Sequence, residues 1–205
     1  MDQRAHWDRI YKTKPSTELS WFEAHPETSL RLIANAGLDR AARIIDVGGG
    51  ESLLVDRLLD LGFRNVSVLD VSSQALARAQ ARLGQRRDMV RWINCDVTEF
   101  RTKAKFDLWH DRAAFHFLTD PEDRGRYVDA VKRALTHDGH LIMATFSLGG
   151  PPKCSGLDVV RYSSLSLAQE IGSDFQLAES IDQVHVTPGG TKQAFAFCRF
   201  VRHAA

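Results

Sequence analysis

The segment 43–52 contains the residues whose types and spacing suggest chemistry most clearly. An apolar run carries Asp46 near its end, and three consecutive glycines at 48–50 follow it. Such a run is typical of a buried strand, and glycines directly after a strand allow a sharp turn into a helix with bare backbone against a ligand. The next apolar run ends in a second acid, Asp70. The pattern therefore predicts a site for a nucleoside cofactor.

A dinucleotide dehydrogenase is one alternative, and two residues count against it. The dinucleotide fingerprint is Gly-x-Gly-x-x-Gly; Gly48 and Gly50 fit it, but Leu53 stands at the third glycine. Glu51 lies at the predicted helix start, where its carboxylate would repel a pyrophosphate and compete for the same amide donors. A cofactor without phosphate fits better. S-adenosylmethionine is such a cofactor, because its ribose diol calls for a carboxylate like Asp70 and its sulfonium and ammonium are cationic.

Apolar runs alternate with helical patterns along most of the chain. Strands are predicted at 43–47, 65–70, 90–94, 106–110 and 139–146, and helices at 28–36, 52–61, 73–83, 121–135 and 165–171. Two further strands, 175–186 and 193–201, join at a turn and form a long hairpin. The alternation predicts a doubly wound α/β domain with right-handed parallel crossovers and one antiparallel strand at the end. Ligands bind such sheets beyond the carboxyl ends of the strands, where the glycines lie.

Composition limits the classes of partner. At 205 residues with 43% hydrophobic content, the chain is expected to form one domain over 1–205. The net charge of +1 comes from 27 basic and 26 acidic residues, so we expect neither nucleic acid nor a membrane as partner. We expect a cytoplasmic protein, monomeric or homodimeric. Three widely spaced cysteines, Cys95, Cys154 and Cys198, match neither a disulfide framework nor a zinc site.

From about residue 43 to the hairpin, the chain resembles the class I S-adenosylmethionine-dependent methyltransferases. Residues 46–50 are similar to the first motif of that family, Asp70 to its ribose-binding acid, and 95–97 to the motif whose acid contacts the adenine amino group. Residues 106–111 resemble its fourth motif. Ser52 departs from the pattern, because many members have glycine there. The resemblance implies a seven-stranded Rossmann-like sheet and S-adenosyl-L-methionine as cofactor, with S-adenosyl-L-homocysteine as product.

The resemblance also divides the chain and its residues by role. It implies N-terminal helices or a lid at 1–42, a cofactor-binding core at 43–146, and an acceptor-side loop, helix and hairpin at 147–205. The expected cofactor-binding residues are Trp7, Tyr11, Trp21, Asp46, Gly48, Gly49, Gly50, Ser52, Asp70, Val71, Cys95, Asp96, Val97 and His110.

The N-terminal segment carries a narrower likeness. The run 6–8 with Tyr11, followed by Trp21 and Phe22, resembles a branch that folds an aromatic lid over the cofactor and includes the citrate-synthase lysine methyltransferase. In the alternative interpretation, these aromatic residues simply pack an N-terminal helix onto the sheet.

The acceptor side is expected to follow the fourth strand. Because that strand is predicted to end at His110, the polar groups of His110, Asp111, Arg112 and His116 should project beside the reacting methyl group. His116 is the preferred general base, since it lies between two phenylalanines. Alternatively, the histidines are buried and satisfied by backbone groups. Arg112 either clamps an acceptor carboxylate or pairs with Asp111.

Three functions are compatible with these residues. The first is a methyltransferase whose acceptor is a small molecule, and the second is a protein-lysine N-methyltransferase, favoured by the N-terminal likeness. The third is a non-catalytic cofactor-binding or scaffold module, which would not need the glycines together with Asp70 and Asp96. No metal is expected, because alkyl transfer from a sulfonium needs no Lewis acid and the histidine spacing matches no metal signature.

Overall fold

The computed structural model describes residues 3–203 and contains a central seven-stranded sheet flanked by helices. The strands of this sheet are β1 (Arg43–Val47), β2 (Asn65–Asp70), β3 (Val90–Asn94), β4 (Phe106–Arg112), β5 (Leu135–Phe146), β8 (Phe175–Val186) and β9 (Lys192–Arg202). Two short strands, β6 (Lys153–Cys154) and β7 (Leu157–Asp158), form a separate pair. The helices are α1 (Gln3–Thr13), α2 (Glu27–Asn35), α3 (Leu54–Asp60), α4 (Ser73–Leu83), α5 (Pro121–Ala134) and α6 (Ser164–Ile171). Within 3–203, no helix is both long and apolar enough to cross a membrane.

The strand order confirms the predicted doubly wound architecture. The sheet runs β3-β2-β1-β4-β5-β9-β8. Strands β1 to β5 pair in parallel, and β9 pairs antiparallel with both β5 and β8. The order reverses at β1, which pairs with β2 on one side and β4 on the other, so the crevice for a ligand lies at its carboxyl end. The C-terminal hairpin β8–β9 is also confirmed.

Apolar side chains on the two faces of the sheet form two separate cores. Neighbouring residues of β1 point to opposite faces: Ile44 packs with Leu58 of α3, whereas Ile45 packs with Tyr127 of α5. All four of these side chains are fully buried. Covering both faces explains why the parallel strands are continuous apolar runs rather than alternating ones.

Three strands are longer than predicted: β9 by one residue at each end, β4 at its end and β5 at its start. The difference in β4 alters the site. β4 continues past His110 to Arg112, where it still pairs with Ala144 of β5. β5 begins at Leu135 instead of Gly139, directly after α5. The extension of β4 places His110 and Asp111 inside the sheet, on opposite faces, instead of in a loop beyond it. The predicted loop after β5 contains the short hairpin β6–β7.

The N-terminal segment packs against the carboxyl edge of the sheet. The α1 helix contacts α4, and Tyr11 of α1 forms a small apolar cluster with Leu19 and Ala75. The Asp8 carboxylate accepts hydrogen bonds from the Ser72 hydroxyl at 2.6 Å and the Gln74 amide at 3.3 Å. These bonds tie α1 to the loop between β2 and α4.

Candidate active site

The turn after β1 requires glycine for steric reasons. Gly48 has φ 65°, and a Cβ atom there would lie 2.5 Å from the Cβ of Ala114. Its amide donates to the Leu69 carbonyl at 2.8 Å, which holds the turn against the end of β2. Gly50 has φ 50°, and a Cβ there would lie 2.7 Å from the Tyr11 hydroxyl. The turn therefore presents bare backbone to the space above it.

The Asp70 carboxylate lies at the end of β2, beside this turn. It is 6% exposed and accepts a hydrogen bond from the Ser72 amide at 2.7 Å. Burial, together with the nearby carboxylates of Asp46 and Asp8, raises the pKa of Asp70 to about 7. The hydrogen bonds from the Ser72 and Gly50 amides oppose this rise. A ligand that donates hydrogen bonds to this carboxylate would stabilise its charged form.

The turn and Asp70 line a cleft with about 800 Å³ of empty space, part of it open to solvent. Its walls come from α1, the ends of β1 to β4, and the β6–β7 hairpin, and comprise Gln3, Trp7, Tyr11, Trp21, Val47, Gly48, Leu69, Asp70, Val71, Cys95, Asp96, Val97, Arg112, Ala113, Ala114, Phe117, Leu118 and Cys154. A second chamber of about 570 Å³ shares Trp21, Gly48 and Arg112 with the cleft. It is also lined by Ser29, Asp46, Gly49, Glu51, Ser52 and His110.

Aromatic rings line part of the cleft, and we call the part around Trp7, Trp21 and Phe117 the aromatic end. The Trp7 ring packs edge-to-face with Trp21 at 5.6 Å and with Phe117 at 5.0 Å between centroids. Tyr11 lies 6.0 Å from Trp21 in a similar arrangement. Edge-to-face contacts of this kind are favourable beyond the apolar area that they bury. These rings come from α1, the segment after it and the turn after β4, so tertiary packing assembles this end.

His110 lies inside the second chamber with both ring nitrogens engaged. Its Nδ1 lies 2.7 Å from an Asp46 carboxylate oxygen, and its Nε2 lies 2.9 Å from the Ser29 hydroxyl. His110, Asp46 and Ser29 are all buried. His110 of β4 thus connects α2, through Ser29, to β1, through Asp46, at the centre of the sheet. His110 is predicted at the end of the fourth strand, beside the reacting methyl group. Because β4 continues to Arg112, His110 lies within the strand and lines the second chamber rather than the cleft.

His116 and Asp111 also lie away from the cleft, which corrects their expected position. His116 is fully buried, and its Nδ1 accepts a hydrogen bond from the Phe146 amide at 3.2 Å. Burial, followed by the charge of Arg112, lowers the pKa of His116 to about 3. Asp111 is fully buried and accepts from the Tyr127 hydroxyl at 2.7 Å. Each of these two side chains accepts a hydrogen bond from a buried group of the core. For His116, this agrees with the alternative in which the histidines are buried and bonded to backbone groups.

Arg112 is the one of the four predicted catalytic residues that lines the cleft. Its guanidinium forms an ion pair with Glu23 at 3.0 Å, and its Nη1 donates to the Trp21 carbonyl at 2.9 Å. The guanidinium also lies 5.1 Å from the centre of the Phe195 ring. Because Asp111 points to the other face of the sheet, the predicted Arg112–Asp111 pair does not form.

The structure separates the predicted cofactor-binding residues into two groups. Those that line the cleft are Trp7, Tyr11, Trp21, Gly48, Asp70, Val71, Cys95, Asp96 and Val97. Those that line the second chamber are Asp46, Gly48, Gly49, Ser52 and His110. Gly50 lies beneath the Tyr11 hydroxyl. Three residues that line these cavities, Gln3, Ser29 and Glu23, were not predicted from the sequence. Only Glu23 could have been found, because it directly follows Trp21 and Phe22 in the sequence.

The donor and acceptor set suits a nucleoside with a cationic tail. Two carboxylates at the ends of β2 and β3, Asp70 and Asp96, line the cleft. The glycine turn borders both cavities, and because it carries no side chains a ligand can contact its backbone. The second chamber adds Asp46 and Glu51, and one oxygen of Glu51 is buried without a hydrogen-bond partner. Among residues 3–203, no cluster of three or more metal-ligating side chains is found.

Comparison with known proteins places the same segment in one family. Residues 44–139 match the family model described as a methyltransferase domain. The mouse eEF1A lysine and N-terminal methyltransferase is 25% identical over 167 residues, which is 80% of this chain and 21% of that protein. The chain therefore spans about a fifth of the length of this curated relative.

Solved structures show the same fold. A protein from a study of the conversion of a disulfide bond into a thioacetal group in echinomycin biosynthesis has a TM-score of 0.78 at 17% identity, covering 98% of this chain and 91% of its own. The Burkholderia thailandensis 1,6-didemethyltoxoflavin-N1-methyltransferase, crystallised with its substrate and S-adenosylhomocysteine, has a TM-score of 0.73 at 20% identity, covering 98% and 84%. The chain therefore shares the fold and strand order of these solved structures, and its residues 44–139 are similar to the methyltransferase domain family.

Proposed function

We propose that this enzyme transfers a methyl group to a small molecule. The observation that carries the proposal is the concave aromatic end of the cleft. It is lined by Trp7, Trp21 and Phe117, and the β6–β7 hairpin contributes Cys154 to the same wall. Largely apolar, enclosed cavities with few polar groups are typical of sites for small ligands.

We propose that the cofactor binds across the cleft and the second chamber. Asp70 would accept hydrogen bonds from the ribose hydroxyls, and Asp96 one from the adenine amino group. Val71, Cys95 and Val97 would line the adenine position. Trp7, Tyr11 and Trp21 would cover the cofactor, and Trp7 and Trp21, which lie between Tyr11 and Phe117, would also border the acceptor. Residues of the glycine turn and of the second chamber, Asp46, Gly48, Gly49, Gly50, Ser52 and His110, would hold the aminoacyl tail or shape its surroundings.

The protein's contribution to the reaction is then alignment. When bound, S-adenosylmethionine supplies an electrophilic methyl group on its sulfonium. The aromatic end of the cleft holds the acceptor in one orientation and excludes water, which supplies much of the rate enhancement in a displacement of this kind. Arg112, at the junction of the cleft and the second chamber, contributes a fixed positive charge beside the acceptor.

A protein lysine is the second candidate acceptor. Two observations favour it: the curated relative in mouse is named as a lysine methyltransferase, and aromatic rings such as Trp7 and Trp21 can surround an alkylammonium group. Trp7 of α1 and Trp21 are half-buried in the wall of the cleft, and this position favours the small molecule, because a lysine would have to reach them from a large surface.

Labelling distinguishes the two acceptors. The full chain is incubated with S-adenosylmethionine carrying a radioactive methyl group and with a cell lysate separated into metabolite and protein fractions; purified eEF1A is added in a third arm. We expect label in the metabolite fraction alone. An Asp70→Asn variant serves as the control with weakened cofactor binding. Label in lysines of the protein fraction or of eEF1A would contradict the small-molecule proposal.

A further inference from the structure

The segment between α1 and α2, residues 14–26, is held over the cleft by side chains from two distant strands. We call this segment the strap. His185 near the end of β8 lies with its Nε2 2.8 Å from the Ser20 carbonyl, and Arg112 at the end of β4 donates to the Trp21 carbonyl at 2.9 Å. Two consecutive backbone carbonyls of the strap are therefore each held by a side chain of the sheet.

Glu23 of the strap completes this arrangement. Its carboxylate lies 3.0 Å from the Arg112 guanidinium and 3.5 Å from Nδ1 of His185. Burial alone would raise the pKa of Glu23, but the hydrogen bond from His185 and the charge of Arg112 outweigh it and lower the pKa. Glu23 is thus a charged group, and it pairs with both side chains that hold the backbone next to it.

Two of these side chains, His185 and Arg112, pack against Phe195 in the core of the hairpin. His185 is 6% exposed, and its ring packs edge-on against Phe195 of β9, the same ring over which the Arg112 guanidinium lies. Phe195 is 1% exposed. A side chain held on several sides loses its rotamer freedom during folding, before any ligand binds.

We infer that Glu23 and His185 are positioning residues for methyl transfer: together with Arg112 they hold the strap so that the Trp21 indole stays at the junction of the cleft and the second chamber. The arrangement fixes Trp21 in particular, because its carbonyl accepts a hydrogen bond from Arg112 and its side chain lines both cavities. The β8–β9 hairpin, far from the glycine turn in sequence, thereby shapes the reaction site without touching the reacting atoms.

Fluorine NMR of the full chain labelled with 5-fluorotryptophan tests this inference. The chain has four tryptophans, and a Trp21→Phe variant assigns the Trp21 resonance. In His185→Ala we expect that resonance to move and broaden, while the resonance of Trp109, which is fully buried between the sheet and α5, stays unchanged. A His185→Gln variant retains a donor for the Ser20 carbonyl and should restore the Trp21 resonance.

Two more variants complete the design. Glu23→Gln removes the charge and should also move the Trp21 resonance, which keeps the test valid if His185→Ala fails to fold. His203→Ala removes a histidine that lies at the other end of the hairpin and contacts Gln176, and it should change nothing. If Trp21 is unaffected in both His185→Ala and Glu23→Gln, or if all four resonances move together, the inference is wrong.

A binding measurement provides the functional readout, and only this arm depends on the proposed function. We expect His185→Ala to weaken the affinity for S-adenosylhomocysteine roughly fivefold, the effect of about one hydrogen bond, with His203→Ala unchanged. A moved Trp21 resonance with unchanged affinity would show that the strap is positioned for the acceptor alone. Absence of binding by the unmodified chain would contradict the proposed cofactor site and leave the NMR result standing.

Discussion

The two ends of the cleft are built in different ways. At the glycine turn, a short segment around Gly48 and the acid Asp70 form the site, mainly through backbone geometry at the ends of adjacent strands. At the aromatic end, α1, the strap, the turn after β4 and the β6–β7 hairpin each contribute side chains. The glycine turn, where we propose that the cofactor binds, therefore depends on local conformation, whereas the aromatic end, which we propose for the acceptor, depends on tertiary packing. We refer to them below as the cofactor end and the acceptor end. A fold assembled in this way can change acceptors while retaining its cofactor.

The largest effect on the free energy of unfolding should come from adding a methyl group at Gly48 in the glycine turn. We expect Gly48→Ala to lower the free energy of unfolding by about 3 kcal/mol, because a positive φ costs an alanine about 1 kcal/mol and the contact with Ala114 adds about 2 kcal/mol. Urea unfolding measures this. Gly62→Ala is the matched control, since Gly62 also has a positive φ but has open space around its Cβ position. Equal losses in the two variants would remove Ala114 from the explanation.

An intermediate effect tests the revised role of His116. His116→Ala leaves the Phe146 amide without its acceptor and opens a cavity, so we expect a loss of about 2 kcal/mol in unfolding free energy with cofactor affinity unchanged. The exposed His203 provides the control substitution. Undiminished stability combined with a large loss of turnover would instead support His116 as the general base. It would then contradict the placement of His116 in the core, away from the cleft.

The smallest effect concerns the pH dependence of cofactor binding. The pKa of Asp70 is about 7 in the free protein, and ribose hydroxyls that donate to the carboxylate favour its charged form, so binding lowers this pKa. The affinity for S-adenosylhomocysteine should therefore rise about tenfold between pH 6 and pH 8. Calorimetric titration across this range measures it. The Asp70→Asn variant should bind more weakly and without this dependence, and the same slope in both proteins would exclude Asp70 as its source.

The sequence predicts the cofactor end better than the acceptor end for a physical reason. The features at 46–50 and at Asp70 depend on strand ends and positive φ angles, which leave local signals such as consecutive glycines. The sequence predicts the end of the fourth strand too early, at His110, because a polar residue after an apolar run normally marks the end of a strand. Here His110 and Asp111 are both buried, since Asp46 and Tyr127 satisfy them, and a partner so far away in sequence leaves no local signal. The same holds for His185 and its contact with the strap.

The hydrogen bonds around Ser72 have a consequence for the motion of the N-terminal helix. The Ser72 hydroxyl donates to Asp8 of α1, while the Ser72 amide donates to Asp70. One residue thus joins the docking of α1 to the carboxylate that we propose for the ribose. If occupancy of the nucleoside site tightens this loop, it must tighten the helix by the same free energy, because thermodynamic coupling is reciprocal. Amide hydrogen exchange in α1 should then slow on addition of S-adenosylhomocysteine, and an Asp8→Ala variant should lose that protection.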